Sequence, residues 1–204
     1  MNKFPIKLMI AVQLAVIPAL FNELLGWMVG LVTLFLCWRF LYEIKKSTLP
    51  TVRVTSIFAA ICGVILVALA AQTGFLASMV NLLFLGGSLK LLACRNEWDF
   101  KVSIWVNYFL ISTVFIFNQD LYLAIFYLSV FALNTFCLLR FYAPKLPPSA
   151  QWQTTIKILA FSFPIAITLF VLVPRLGPMW NVKQPKTAST GLSDRVSPGD
   201  ISEL

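Results

Sequence analysis

Seven apolar runs take up most of this sequence, and they restrict its fold more than any other feature. They are Ile6–Phe21, Leu24–Tyr42, Thr55–Gln72, Gly74–Leu89, Phe100–Phe117, Leu121–Leu139 and Ile156–Val173. Each is about 16 to 19 residues long, near the lower end of what crosses hydrocarbon at a rise of about 1.5 Å per residue. They are apolar all round rather than along one stripe, so lipid or other helices must surround them. Only helices and closed barrels satisfy their backbone polar groups in lipid, and the alternating ten-residue segments of a barrel are not visible. The expectation is an all-α membrane protein, a polytopic helix bundle of about seven spans, or five if the first hairpin dips in without crossing. Residues 1–173 form the transmembrane domain and 174–204 an extended tail.

Short connections join the runs into hairpins: Asn22-Glu23, Thr73-Gly74 and Asn118-Gln119-Asp120. Gln72-Thr73-Gly74 is a weak break, yet the combined apolar stretch is too long for one crossing. Charge placement adds an orientation. With the N-terminus inside, the inner side holds Lys3, Lys7, Arg39, Lys45, Lys46, Arg53, Lys90, Arg95, Lys101, Arg140, Lys145 and Lys157. The three short outer loops hold no basic residue, and the remaining four (Arg175, Lys183, Lys186 and Arg195) lie in the tail. This positive-inside pattern puts the tail outside. The net charge of +8 therefore fits a membrane surface, and no nucleic-acid partner is expected. Lys3 and Lys7 before an apolar stretch also resemble a signal peptide, but Pro18-Ala19-Leu20 lacks a small-x-small cleavage pattern, so an uncleaved first helix is expected.

Catalytic chemistry is hard to place in these residues. Histidine is absent, which removes His-based acid–base catalysis and Cys-His or Ser-His pairs. Cys37, Cys62, Cys94 and Cys137 sit within or at the ends of apolar runs without a CxxC, and read as small apolar residues rather than metal ligands. No cofactor is expected. Gly26-x-x-x-Gly30 and Ala59-x-x-x-Gly63 are spacings that let membrane helices approach closely. Asn81, Asn107 and Asn134 are expected to make interhelical hydrogen bonds. Lys90 sits at the inner end of its run, where its stem can snorkel to water. Pro164 falls within the last run and should kink it.

The tail has a different character, rich in Pro, Ser, Thr and Gly. Trp180 follows the last run at a position suited to an interface. Ser197-Pro198-Gly199-Asp200 has the form of a capping box, with Ser as N-cap, Pro at N1 and an acid at N3. Ile201 and Leu204 then begin an apolar stripe. A helix this short cannot fold alone, so a soluble domain is expected to follow Leu204.

The stretch VPRLGPMWNVKQPKTASTGLSDRVSPGDISEL resembles the bacterial transglutaminase-like membrane proteins of the TgpA type. Their apolar N-terminal domain leads through a PRLGPLW-like run into TGLSDxMSPGDIxxL. The matching residues here are Pro174, Arg175, Leu176, Gly177, Pro178, Trp180, Thr190, Gly191, Leu192, Ser193, Asp194, Ser197, Pro198, Gly199, Asp200 and Ile201. Met179 and Val196 depart conservatively. Leu89-Lys90-Leu91-Leu92 with Arg95 is similar to the family's LKLLExRxxRD, with Ala93 in place of Glu and Trp98 in place of the second Arg. The resemblance implies a periplasmic papain-like transglutaminase domain after residue 204, whose Cys-His-Asp triad would lie outside this chain.

Three functions follow as expectations. The first is a multi-pass anchor in the bacterial inner membrane, N-terminus cytoplasmic and tail periplasmic, whose partners are the bilayer and the C-terminal domain of the same protein. The second is a small transporter or lipid- or peptide-binding module, for which a polar cavity lined by Asn81, Lys90 or Asn107 would argue. The third is a homo-oligomer assembled through the Gly26/Gly30 face.

Overall fold

The structure is a computed structural model that describes residues 5–45, 48–117 and 120–172. All seven elements in these residues are helices: α1 Ile6–Leu20, α2 Gly26–Lys45, α3 Val52–Thr73, α4 Phe75–Leu92, α5 Glu97–Phe117, α6 Leu121–Tyr142 and α7 Pro148–Leu172. Each apolar run thus becomes one helix. Four are long and apolar enough to cross a membrane by themselves, namely α2, α3 over Val52–Leu69, α5 and α6. By contrast, α1 has 15 residues and α4 has 18.

The weak break between the third and fourth runs is decided by one residue. Gly74 has φ +84° and ψ 152°, a region open essentially to glycine alone. It stops α3 and lets α4 start in the opposite direction. The last helix begins eight residues before the apolarity does. Pro148 occupies its first position, where the missing N–H costs nothing. Gln151 Nε2 donates to Ala143 O at the end of α6 (2.8 Å), and the Trp152 ring lies 4.8 Å from Phe136. Pro164 lies inside the helix, and Thr168 Oγ1 donates to its carbonyl.

The chain divides into two compact units, Met1–Ala160 and Phe161–Leu204. In the second, the described residues are the remainder of α7. In the first, α4 is central and packs against α1, α2, α3 and α5. One core lies between α1, α4, α5 and α6, built on Met9, Val16, Phe84, Phe100, Ile104 and Leu110. A smaller one joins α2, α3 and α4 through Met28, Phe35, Cys62, Leu66, Leu85 and Leu89. Outward-facing side chains are apolar as well: Val64, Val67, Trp105, Phe109 and Ile125 are all more than half exposed. In water such a surface would drive aggregation; in a bilayer it is the solvent-facing surface.

Candidate functional site

Two polar constellations stand out from the apolar background. One lies within the bundle, and the other is at the end that gathers the basic residues.

The buried constellation is a row of amides. Gln13 Nε2 donates to Asn107 Oδ1 (2.9 Å), Asn107 Nδ2 to Asn134 Oδ1 (3.3 Å), and Asn134 Nδ2 to Ile104 O (3.2 Å). The row ties α1 to α5 and α5 to α6, and all three side chains are buried. Tyr127 adds a bond from its hydroxyl to Ala15 O, joining α6 to α1. Asn81 works separately, from within α4. Its amide donates to Glu23 O and accepts from Leu25 N, which holds the turn between α1 and α2 against α4. The three asparagines therefore bond across elements, as expected. In hydrocarbon each such bond contributes about 0.6 kcal/mol on average, so the row specifies register more than it adds stability. Gln13, a full member of the row, was not singled out in the sequence. Its position with Met9 and Val16 on the buried stripe of α1 was the available signal.

A glycine contact adjoins this row. A Cβ on Gly87 would lie 2.8 Å from Val106 Cγ1 and 3.4 Å from both Gln13 Nε2 and Leu110 Cδ1. Gly87 is thus what lets α4 approach α5. The sequence spacings pointed elsewhere. A Cβ on Gly26 or Gly30 would meet nothing within 4 Å, and one on Gly63 would just touch Leu82 Cδ1 at 4.0 Å. Ala59 packs beside the smaller core. Gly26 and Gly30 both face outward on α2.

The basic end is built from helix termini. Lys90 is in the last turn of α4 and Asp99 in the first turn of α5, where each charge also complements its helix dipole. Lys90 Nζ pairs with Asp99 Oδ1 at 2.6 Å, with the two side chains 34% and 21% exposed. Asp99 Oδ2 also accepts from the backbone N–H groups of Arg95 and Asn96 at 3.4 Å. Lys90 therefore reaches a carboxylate rather than solvent alone. Asp99 occupies the final position of the LKLLExRxxRD-like stretch, so a charge pair persists there despite Ala93 and Trp98. Arg95 bridges to the preceding loop, its Nη2 donating to Pro50 O (2.9 Å).

Deeper in, Arg39 and Glu43 form an ion pair within α2 at 3.0 Å, with side chains only 3% and 4% exposed. Arg39 also lies 5.1 Å from the Tyr42 ring centre and within 3.5 Å of Leu92 O. The i,i+4 spacing of Arg39 and Glu43 was the sequence signal for this pair. Cys94, in the loop between α4 and α5, is 2% exposed. Burial pushes its thiol up to about 11, opposed by the nearby Arg39 charge. All four cysteines are free thiols, and Cys62, Cys94 and Cys137 are buried. Among the described residues no group of three or more His, Cys, Asp or Glu side chains could hold a metal ion. What this arrangement does chemically is hold charge and fix helix ends.

The tail positions, Pro174, Arg175, Gly177, Pro178, Trp180, Gly191, Ser193, Asp194, Ser197, Pro198, Gly199 and Asp200, lie outside the described residues.

The family model of the TgpA N-terminal domain matches residues 8–204. Among curated proteins, a protein-glutamine gamma-glutamyltransferase of Pseudomonas aeruginosa is 28% identical over 120 residues. That alignment covers 57% of this chain but only 18% of the relative, so the chain matches a minor part of that protein's length. No solved structure matches the chain.

Proposed function

We propose, on the premise that this chain belongs to the family of TgpA N-terminal domains, that it is a multi-pass anchor holding a transglutaminase-like domain at the outer face of a bacterial inner membrane. The observation that carries the reading is the distribution of charge over the helices. Lys45, Arg53, Lys90, Arg95, Lys101, Arg140 and Lys145 lie at or beside the helix ends of one face of the bundle, while the opposite turns carry none. With that face cytoplasmic, α7 runs outward and the tail emerges in the periplasm. The relative's name supplies the class of the attached domain: an acyltransferase acting on protein glutamine. With no histidine in this chain, its part is to position that domain rather than to react.

The test is a pair of fusions after Leu204. Alkaline phosphatase should be active there and a fluorescent reporter that folds only in the cytoplasm should be dark. The reverse pattern would overturn the orientation, and with it the anchoring of a periplasmic domain.

A second reading is supported by the outward Gly26/Gly30 face, which none of the described residues covers. It would let a second copy approach α2 closely. Replacing both glycines with leucine should shrink a detergent-solubilised oligomer to the monomer; an unchanged size would discard the reading.

The transporter reading called for a polar cavity lined by Asn81, Lys90 or Asn107. Those side chains instead bond to Glu23 and Leu25, to Asp99, and to Gln13 and Asn134.

A further inference from the structure

A cleft of about 370 Å³ opens at the basic end, lined by Tyr42, Thr48, Leu49 and Arg95. Its wall is fixed by two bonds that clamp the loop between α2 and α3. Trp38 Nε1 donates to Thr48 O (3.2 Å), and Arg95 Nη2 donates to Pro50 O (2.9 Å). A guanidinium carries five N–H donors, so Arg95 keeps donors for a ligand while one holds the loop. Among the described residues its charge is not spent on an acid. Glu43 is engaged by Arg39, and Asp99 by Lys90. Asp99 touches only the backbone N–H of Arg95. Tyr42 and Thr48 add two hydroxyls to the same lining, and both can donate to an anionic oxygen.

The depth of the cleft is equally informative. It sits where α2 ends and α3 begins, and with both helices crossing the bilayer that level is the boundary between hydrocarbon and water. Trp38, with its indole N–H directed to the loop and 38% of its surface exposed, suits that level. On α2 beside it, Leu41 and Ile44 are 47% and 54% exposed, an apolar surface that acyl chains can cover. A fixed cation, two hydroxyls and Leu49 in the lining, with exposed Leu41 and Ile44 on the same helix as Tyr42, form an amphipathic set. It matches a phosphate with hydrocarbon attached better than a soluble anion.

We propose that this cleft binds the phosphodiester headgroup of an anionic phospholipid, with Arg95 opposing the charge and Tyr42 and Thr48 donating to its oxygens. The proposal goes beyond anchoring, which needs no particular lipid, and it does not depend on which face is cytoplasmic.

The test uses the whole chain in neutral detergent, titrated with phosphatidylglycerol, phosphatidylcholine or inorganic phosphate. Bound lipid is counted by native mass spectrometry, and unliganded melting is recorded for every variant. Phosphatidylglycerol should bind and phosphatidylcholine should bind several-fold more weakly. R95Q, which keeps a donor for Pro50 O, should lose about fivefold in affinity, the effect of one basic side chain at an anionic surface. Y42F should lose a smaller factor with unchanged melting, which separates lost binding from lost folding. K101Q serves as the control. Lys101 stands over the Phe141 and Tyr142 rings, away from the cleft lining, and its replacement should leave binding unchanged. Equal binding of the two lipids, an R95Q chain that binds like the parent, or an equal loss in K101Q would overturn the site. Displacement of the lipid by inorganic phosphate at equal concentration would overturn the lipid assignment.

Discussion

α3 and α4 are neighbours joined by a single glycine, and they use their residues in opposite ways. The apolar part of α3, Val52–Leu69, has a mean hydropathy of 2.3, the highest of the four candidate spans, and only 17% of it is buried. Val64 and Val67 are 70% and 72% exposed. α4 carries Ser78, Asn81, Gly86, Gly87, Ser88 and Lys90, yet Asn81 and Ser88 are fully buried and the helix touches four others. In water, a helix carrying an asparagine, two serines and a lysine would be the outer one and the exposed valines of α3 would turn inward. In lipid, the apolar side chain gains nothing by leaving the surface, because acyl chains are as apolar as leucine. A polar or small residue gains a hydrogen bond or a close approach by turning inward. The contrast is that of a protein built for a bilayer.

The sharpest way to break this comparison is at the close approach. Gly87→Ala should destabilise the bundle by about 1–3 kcal/mol, because the short, branched Val106 side chain has little room to give. Gly86→Ala, one residue away with open space around it, should be close to neutral. The measurement is denaturation of the two variants in detergent; equal values would mean that α4 does not rest on α5 as described.

Next in size is Asn107→Leu, with an expected loss of about 1–2 kcal/mol, since the Gln13 and Asn134 amides both lose their partner. A double change with Gln13→Leu should cost less than the sum of the single changes, because the row fails as a unit.

Cys94 gives a pH arm at the end of α4. Its folded thiol stands near 11 against an ordinary 9.0, so above pH 9 the unfolded chain releases this proton first. The unfolded state then binds fewer protons than the folded one, and stability falls as pH rises through this window. Cys94→Ala should flatten that fall between pH 9 and 11. An unchanged slope would show that the thiol is open to water.

Lys90→Met should cost at most about 1 kcal/mol, the pair with Asp99 being partly exposed. Smallest of all, Val64→Ala on α3 should change stability by less than about 0.5 kcal/mol. A large loss there would mean that a partner, not lipid, covers α3.

Much of this was visible in the residues. Seven apolar runs became seven helices because backbone groups in hydrocarbon have no other local solution than a helix. Gly74 was readable as a break because only glycine tolerates its dihedrals. The start of α7 was not, since Pro148–Thr155 is polar, and its helical form depends on Gln151 reaching α6 and Trp152 stacking on Phe136. The asparagines announced themselves as polar groups in apolar runs, but Gln13 needed its neighbours to be known. Likewise Lys90 and Arg95 stood out by resemblance, whereas Asp99 acquired meaning once two helix ends were brought together, and the Arg39–Glu43 pair was legible only as an i,i+4 spacing whose burial the fold decided.

By itself, then, the sequence determined the class of this protein, the seven helices of the described residues and the end at which its positive charge collects. All three follow from composition and spacing along one chain. Which helix lies inside, which glycine is a contact and which carboxylate answers Lys90 were decided only by the tertiary structure. In a bilayer, hydropathy no longer distinguishes inside from outside, and the choice falls to close packing and hydrogen bonds between residues far apart in the chain.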